Sequence, residues 1–248
     1  MRGTVVVTAS AGTFPGLVEA LHALPAAVEE CPLMAFAPPL DWAPVDKAVD
    51  HLARFDAVAV TSPRAAKAFA ARVAERDKED AFTAGRVSLW AGGAATMEAL
   101  GRSLGPVRVP ASKASARLGA AAALAAAMVA GDVKGPVLFP CGDLRRDELP
   151  ARLMDDGIAV EDVVCYRSIL ASDGAARAAA ERAQVLIVAS PSVADLLAKA
   201  CPPGVRPPML AVGPTTAGAA RAAGWPPSAV SSRPDAQSLA SAVKSLLA

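Results

Sequence analysis

Along the whole chain, short apolar runs alternate with longer stretches in which Ala and Leu recur at helical spacing. Thr4–Thr8 is followed by Leu17–Leu24, Ala57–Thr61 by Ala65–Val73, Val87–Ala91 by Thr96–Leu104, and Val137–Pro140 by Glu148–Asp156. The spacing predicts strands alternating with helices. Runs such as Val58-Ala59-Val60 and Val185–Ala189 are apolar at every position, as strands covered on both faces must be, so the pattern predicts a parallel α/β sheet and excludes all-β and all-α folds. The most apolar window, Leu118–Ala130, is rich in Ala, contains Gly119 and stops at Gly131-Asp132. That is short of the roughly 18 apolar residues of a membrane span, and it is read as one closely packed soluble helix.

The chain also repeats itself. Val60-Thr61-Ser62-Pro63-Arg64-Ala65 matches Val188-Ala189-Ser190-Pro191-Ser192-Val193, a strand followed by Ser-Pro and a helix. Leu89–Thr96 matches Leu210–Thr216, and the run from Val109 to Leu118 matches that from Val230 to Leu239. Two α/β units with the same internal order are implied. Each block ends a strand with Ser or Thr next to Pro or Gly and opens a helix whose first N–H groups lack partners. Ser62, Thr96, Ser190 and Thr216 are therefore expected as helix N-caps. Either they only cap, or together they mark an anion site outside the carboxyl ends of the strands, where ligands of open α/β sheets bind.

Composition narrows the chemistry. Lys and Arg total 25 and Asp and Glu 24 in 248 residues, a net charge of +1, so no long-range field attracts nucleic acid or an anionic membrane. After Met1 and Arg2 the apolar run Val5–Val7 stops at Thr8-Ala9-Ser10, without the apolar core of an export signal. This gives the expectation of a cytoplasmic protein, a plastid form lacking its transit peptide being the alternative. Cys31, Cys141, Cys165 and Cys201 are widely spaced and form no CxxC, which favours buried thiols over a metal or redox site. His22 and His51 stand far from any acid–nucleophile pattern, so a histidine triad or metal centre is not expected. Gly92-Gly93-Ala94-Ala95-Thr96 lacks the Gly-Lys-Ser/Thr of a phosphate loop, and Gly12-Thr13-Phe14-Pro15-Gly16 lacks the Rossmann spacing.

With these blocks in order, the chain resembles the uroporphyrinogen-III synthase family over nearly its whole length. The resemblance is carried by Val60–Ala65, Leu138-Phe139-Pro140-Cys141-Gly142-Asp143-Leu144-Arg145-Arg146, Gly157–Val160 with Tyr166, and Ala211-Val212-Gly213-Pro214-Thr215-Thr216-Ala217. The Phe-Pro-Cys-Gly block looks most like eukaryotic members. The resemblance implies two flavodoxin-like lobes with parallel sheets joined by a two-stranded hinge. One lobe would comprise residues 1–36 and 170–248, and the other residues 38–166. Pro38 and Pro39 independently suit an extended connector at the first crossing.

The implied reaction converts hydroxymethylbilane to uroporphyrinogen III with loss of water and inversion of the last pyrrole ring, without metal or cofactor, in an expected monomer. Tyr166, the only tyrosine, falls where the family places a cleft residue and is the expected catalytic group, either at the departing hydroxyl or in orienting the chain. The alternative is a hinge tyrosine with its hydroxyl bonded to backbone. Substrate contacts are expected from Ser62, Arg64, Thr96, Gly142, Arg146, Ser190 and Thr216; solvated surface arginines are the other reading of Arg64 and Arg146. Two departures stand out: Thr8-Ala9-Ser10 lacks the arginine that many members carry after the first strand, and Gly92-Gly93-Ala94 replaces a Val-Gly-Pro. A hinge-type binding protein without catalysis, or an inactive family member, are the competing readings.

Overall fold

A computed structural model describes residues 3–247, without the side chains of residues 116 and 117. The chain divides into two compact units, Met1–Ala35 with Ile169–Ala248, and Phe36–Ser168. In the first unit the elements are β1 (Thr4–Val7), α1 (Leu17–His22), β2 (Ala27–Glu30) and the start of β3 (Met34–Ala37). The inserted unit runs through α2 (Ala43–Asp50), β4 (Ala57–Val60), α3 (Pro63–Glu75), α4 (Asp80–Thr83), β5 (Ser88–Ala91), α5 (Ala94–Leu104) and β6 (Val107–Arg108). It continues with α6 (Ser112–Leu118), α7 (Ala120–Ala130), β7 (Val137–Gly142), α8 (Glu148–Asp155) and β8 (Val160–Leu170). The first unit is then completed by α9 (Asp173–Arg182), β9 (Val185–Val188), α10 (Pro191–Ala200), β10 (Met209–Val212), α11 (Pro214–Ala222), β11 (Ala229–Ser231) and α12 (Ala236–Leu247).

The first unit's sheet has the order β11-β10-β9-β1-β2, with every neighbouring pair parallel. Read by chain order this is 2-1-3-4-5, the flavodoxin arrangement. In the inserted unit the order is β3-β8-β7-β4-β5-β6, and all pairs from β8 to β6 are parallel. Superimposing the repeated blocks sets β4, β5 and β6 on β9, β10 and β11, which leaves β7 and β8 in the places of β1 and β2. The inserted unit is thus a circular permutation of the same doubly wound sheet, with β3 added at its edge.

Each sheet is covered on both faces, which explains the unbroken apolar runs. All four residues of β4 are buried: Val58 and Val60 pack with Val45, Phe69 and Leu100 on one face, while Ala57 and Ala59 pack with Leu124, Met128 and Leu153 on the other. In the first unit Val6, Leu186 and Val188 meet Ala176 and Leu197, and Val5, Val7 and Ile187 meet Leu21, Leu239 and Val243. Truncating one of these fully buried side chains, Phe69 for example, costs about 3–5 kcal/mol.

Two expectations are corrected. The Leu118–Ala130 stretch is not one helix: Gly119, at φ +86°, ends α6 and begins α7, a left-handed conformation that glycine adopts without the Cβ penalty. Thr96 and Thr216 are not N-caps. Gly93 and Gly213 occupy the cap positions, so each threonine is the third residue of its helix and buried, 3% and 2% exposed. Glycine and, at Gly213, the following proline start these helices without a capping side chain.

Candidate active site

In the inserted unit the strand order reverses between β7 and β4, and the carboxyl ends of these strands bound a recess of about 370 Å³. A doubly wound sheet opens a crevice at that point because the connections from the two strands leave to opposite faces. Ser62 from the end of β4, Cys141 and Gly142 from the end of β7, Arg146 and Glu148 beyond it, and Tyr166 from β8 line the recess. The first turn of α7, Gly119 to Ala121, closes another side, bringing the electropositive start of a helix to the same place.

Tyr166 reaches this position through an irregularity in pairing. From Val137↔Val160 to Cys141↔Val164 the strands advance in step, but Gly142 pairs with Tyr166, so Cys165 is an extra residue on β8. The bulge turns Tyr166 toward the side already occupied by Cys165, and both pack on the cluster around Phe69. The ring lies directly over Gly142: a Cβ there would be 2.5 Å from Cζ and 2.7 Å from the hydroxyl oxygen. Gly142 is therefore needed for the approach of the tyrosine, a role that spacing alone did not reveal.

The phenol oxygen stands 3.5 Å from Ser62 Oγ, longer than the roughly 2.8 Å of a good hydroxyl pair, which leaves the phenol able to turn toward a ligand. Ser62 does act as the N-cap of α3, its Oγ accepting from the Ala65 N–H at 3.4 Å. Arg64 lies with its guanidinium carbon 3.4 Å from the centre of the Phe36 ring and 5.8 Å from that of Tyr166. Phe36 itself stands T-shaped to Tyr166 at 5.8 Å and 71°.

The two adjacent arginines of the β7–α8 loop have different surroundings. Arg145 is committed to carboxylates, pairing with Asp162 at 3.0 Å and with Asp147, which hold it firmly protonated. Arg146 lines the recess, exposed, and among the described residues no carboxylate pairs with it or with Arg64. Asp143 fixes the loop, its Oδ1 accepting from the Leu144 N–H at 2.9 Å and the Ser168 N–H at 2.8 Å. Burial, with Asp162 adding to it, pushes the Cys141 thiol up to about 12, so the sulfur at the recess is a neutral thiol.

In the first unit Ser190 occupies the N-cap position of α10, yet its hydroxyl makes no cap bond. Thr216 lies in the first turn of α11 at the end of β10, as Thr96 lies in that of α5 at the end of β5. The departing Thr8 is internal: its hydroxyl donates to the Ile187 carbonyl at 2.8 Å, tying β1 to β9. Sequence reasoning missed Phe36, whose stacking on Arg64 follows from long-range pairing of β3 with β8, and also the division of labour between Arg145 and Arg146. Among the described residues no cluster of three or more His, Cys, Asp or Glu side chains lies within reach of one metal ion, and no helix is long and apolar enough to cross a membrane.

A flavodoxin-ordered unit and the permuted unit inserted in its chain, the latter carrying a hydroxyl- and arginine-lined recess at its switch point, define an α/β enzyme acting on a small molecule. Residues 16–241 match the family described as uroporphyrinogen-III synthase HemD. The fold is that of solved uroporphyrinogen III synthases: one from Thermus thermophilus, a mutant form, has a TM-score of 0.69 at 16% identity, with 99% of each chain covered. One from Helicobacter pylori has a TM-score of 0.64 at 18% identity, covering 99% of this chain and 100% of that one. No curated protein sequence matches the chain. The chain belongs to the uroporphyrinogen-III synthase family, and its activity is the cyclisation of hydroxymethylbilane in haem biosynthesis.

Proposed function

We propose that the recess at the β4–β7 switch point is where this cyclisation is assisted, with Tyr166 as the catalytic group. The phenol gives its proton to the hydroxyl leaving the bilane, which departs as water and leaves an azafulvene cation. The substituted carbon of the last pyrrole ring attacks that cation to form a spiro centre, and the bond from this carbon to its original bridge carbon breaks. The bridge carbon rejoins the ring at its free α-position, and the proton then lost returns to the phenolate, giving isomer III. The observation that carries this reading is the bulge at Cys165 and the glycine at 142, which together bring the sole tyrosine over the end of β7. A ring laid on a bare strand, with a hydroxyl not saturated by its neighbour, suits a group that must re-aim at substrate.

Substrate carboxylates are taken, in this reading, by the first-turn amides behind Ser62 and Thr96 in one unit and behind Ser190 and Thr216 in the other, and by Arg64 and Arg146. Supporting this are the exposed guanidinium of Arg146 in the recess and the absence, among the described residues, of a carboxylate partner for it. Gly142 serves by admitting the Tyr166 ring. The units Met1–Ala35 with Ile169–Ala248 and Phe36–Ser168 are read as the two functional domains of a cytoplasmic monomer.

The test is cyclisation of hydroxymethylbilane scored by isomer. Tyr166→Phe is expected to lose about 10²–10⁴-fold in rate while melting close to the parent. Full turnover by Tyr166→Phe would reduce the ring to packing, and formation of isomer I alone by the parent protein would mean binding without catalysis.

A further inference from the structure

Phe36 lies outside every repeated block and outside the recess, yet it touches two of the groups assigned to the reaction. It belongs to β3, the edge strand beside β8 in the six-stranded sheet, and its side chain is partly exposed. One face of its ring carries the Arg64 guanidinium at 3.4 Å, and Tyr166 meets it in a T-shaped pair at 5.8 Å. Any apolar residue would serve in the recess lining that Phe36 shares with Cys165 and Ala68. Only a flat ring both stacks a guanidinium and makes a T-shaped pair, because each contact uses the quadrupole of the aromatic system.

The contacts leave Tyr166 enclosed by neighbours of different kinds. Gly142 sets the closeness of its approach to β7, Ser62 stands at its hydroxyl, and Phe36 meets its ring T-shaped in the lining of a second, mostly apolar recess that Trp42, Ala68 and Cys165 also line. Without the Phe36 ring the phenol gains room on that side and Arg64 loses its seat. We propose that Phe36 is a positioning residue for the reaction, holding the Tyr166 phenol and the Arg64 guanidinium in one fixed relation. The inference rests on the reading of Tyr166 as the catalytic group. A misplacement of about 1 Å in a reacting group costs on the order of 10²-fold, so loss of this seat registers in turnover before it registers in binding.

The single tyrosine makes the test clean, since 3-fluorotyrosine incorporation gives one fluorine resonance, that of residue 166. Phe36→Leu is expected to shift that resonance and to lower kcat by about tenfold or more, with a smaller rise in KM from the unseated Arg64. Phe36→Trp restores most of the rate. Phe36→Met, which keeps much of the apolar volume without the ring, behaves as Phe36→Leu does and serves as the second truncation. In a Tyr166→Phe background the effect of Phe36→Leu on kcat is expected to shrink to the part carried by Arg64, as coupled groups require. Unchanged kcat in both truncations, or an equal loss with and without the Tyr166 hydroxyl, overturns the inference alone. Full turnover by Tyr166→Phe by itself overturns the catalytic reading, and the positioning role with it.

Discussion

A methyl group on residue 142 would stand 2.5 Å from Cζ of Tyr166, closer than real Cβ atoms come, and the atoms it meets belong to a ring that also pairs T-shaped with Phe36. Gly142→Ala must therefore displace the tyrosine or the strand. Overpacking of this kind costs about 1–3 kcal/mol. The expected outcome is a folded protein with a lowered melting temperature and turnover reduced nearly as far as in Tyr166→Phe. A Gly142→Ala protein with full activity would show that the ring moves without consequence.

The two serines before Pro63 and Pro191 occupy the same position in the repeat but differ in bonding. Ser62 caps its helix and Ser190 does not. Ser62→Ala is expected to cost up to about 1 kcal/mol, the cap being long. Ser190→Ala should leave the melting temperature unchanged and lower turnover only modestly, because backbone amides remain. Complete loss of activity in a folded Ser190→Ala protein would point to a nucleophilic serine.

Thiol reactivity should separate the cysteines. Burial pushes Cys141 and Cys165 up to about 12 and raises Cys201, whereas Cys31 is partly exposed. Iodoacetamide at neutral pH should modify Cys31 first and leave turnover intact. Since the folded pKa values lie above the unfolded thiol value of about 8.5, the stability these groups contribute is present below that pH and is lost as pH rises toward about 12. Thermal melts across the alkaline range, compared with Cys165→Ala, measure it.

Acid should act elsewhere. Arg72 grips Asp46 with Nε at 2.5 Å and Nη2 at 2.6 Å, and this hydrogen bonding holds the Asp46 carboxyl below its ordinary range. The contribution is present above the unfolded pKa of about 3.9 and disappears as pH falls through the lowered folded value. Melting temperature should fall on acidification more steeply in the parent than in Asp46→Asn; parallel curves would assign acid sensitivity to other carboxylates.

The fold class was legible because two all-buried strand runs, at Val58 and Val185, admit little but a covered parallel sheet, and because the Ser-Pro blocks repeat in order. Strand order was not. Which strands adjoin β4 depends on pairing Ala57 with Val137, a contact between distant segments that no local pattern encodes. Tyr166 stood out by its singularity, but its aim depends on a bulge, and one extra residue in a strand leaves no mark in composition. Thr96 and Thr216 look like caps in the sequence because hydroxyls usually serve there; the helices start earlier, at Gly213 through a left-handed φ of +85° that suits glycine and at Gly93 in ordinary extended backbone, and neither start leaves a polar signature.

The permutation of the inserted unit has a bearing on how it forms. In the first unit the switch-point strands β1 and β9 lie on either side of the insertion, and in the inserted unit β4 comes early and β7 late. A growing chain that has made β4, β5 and β6 can build that side of the sheet from neighbouring segments, yet the floor and one wall of the recess do not exist until β7 docks against β4 and β8 follows. Catalytic competence is thus deferred to a late, non-local strand pairing, and a partly folded chain that already holds Ser62 and Arg64 still lacks the wall that carries Tyr166.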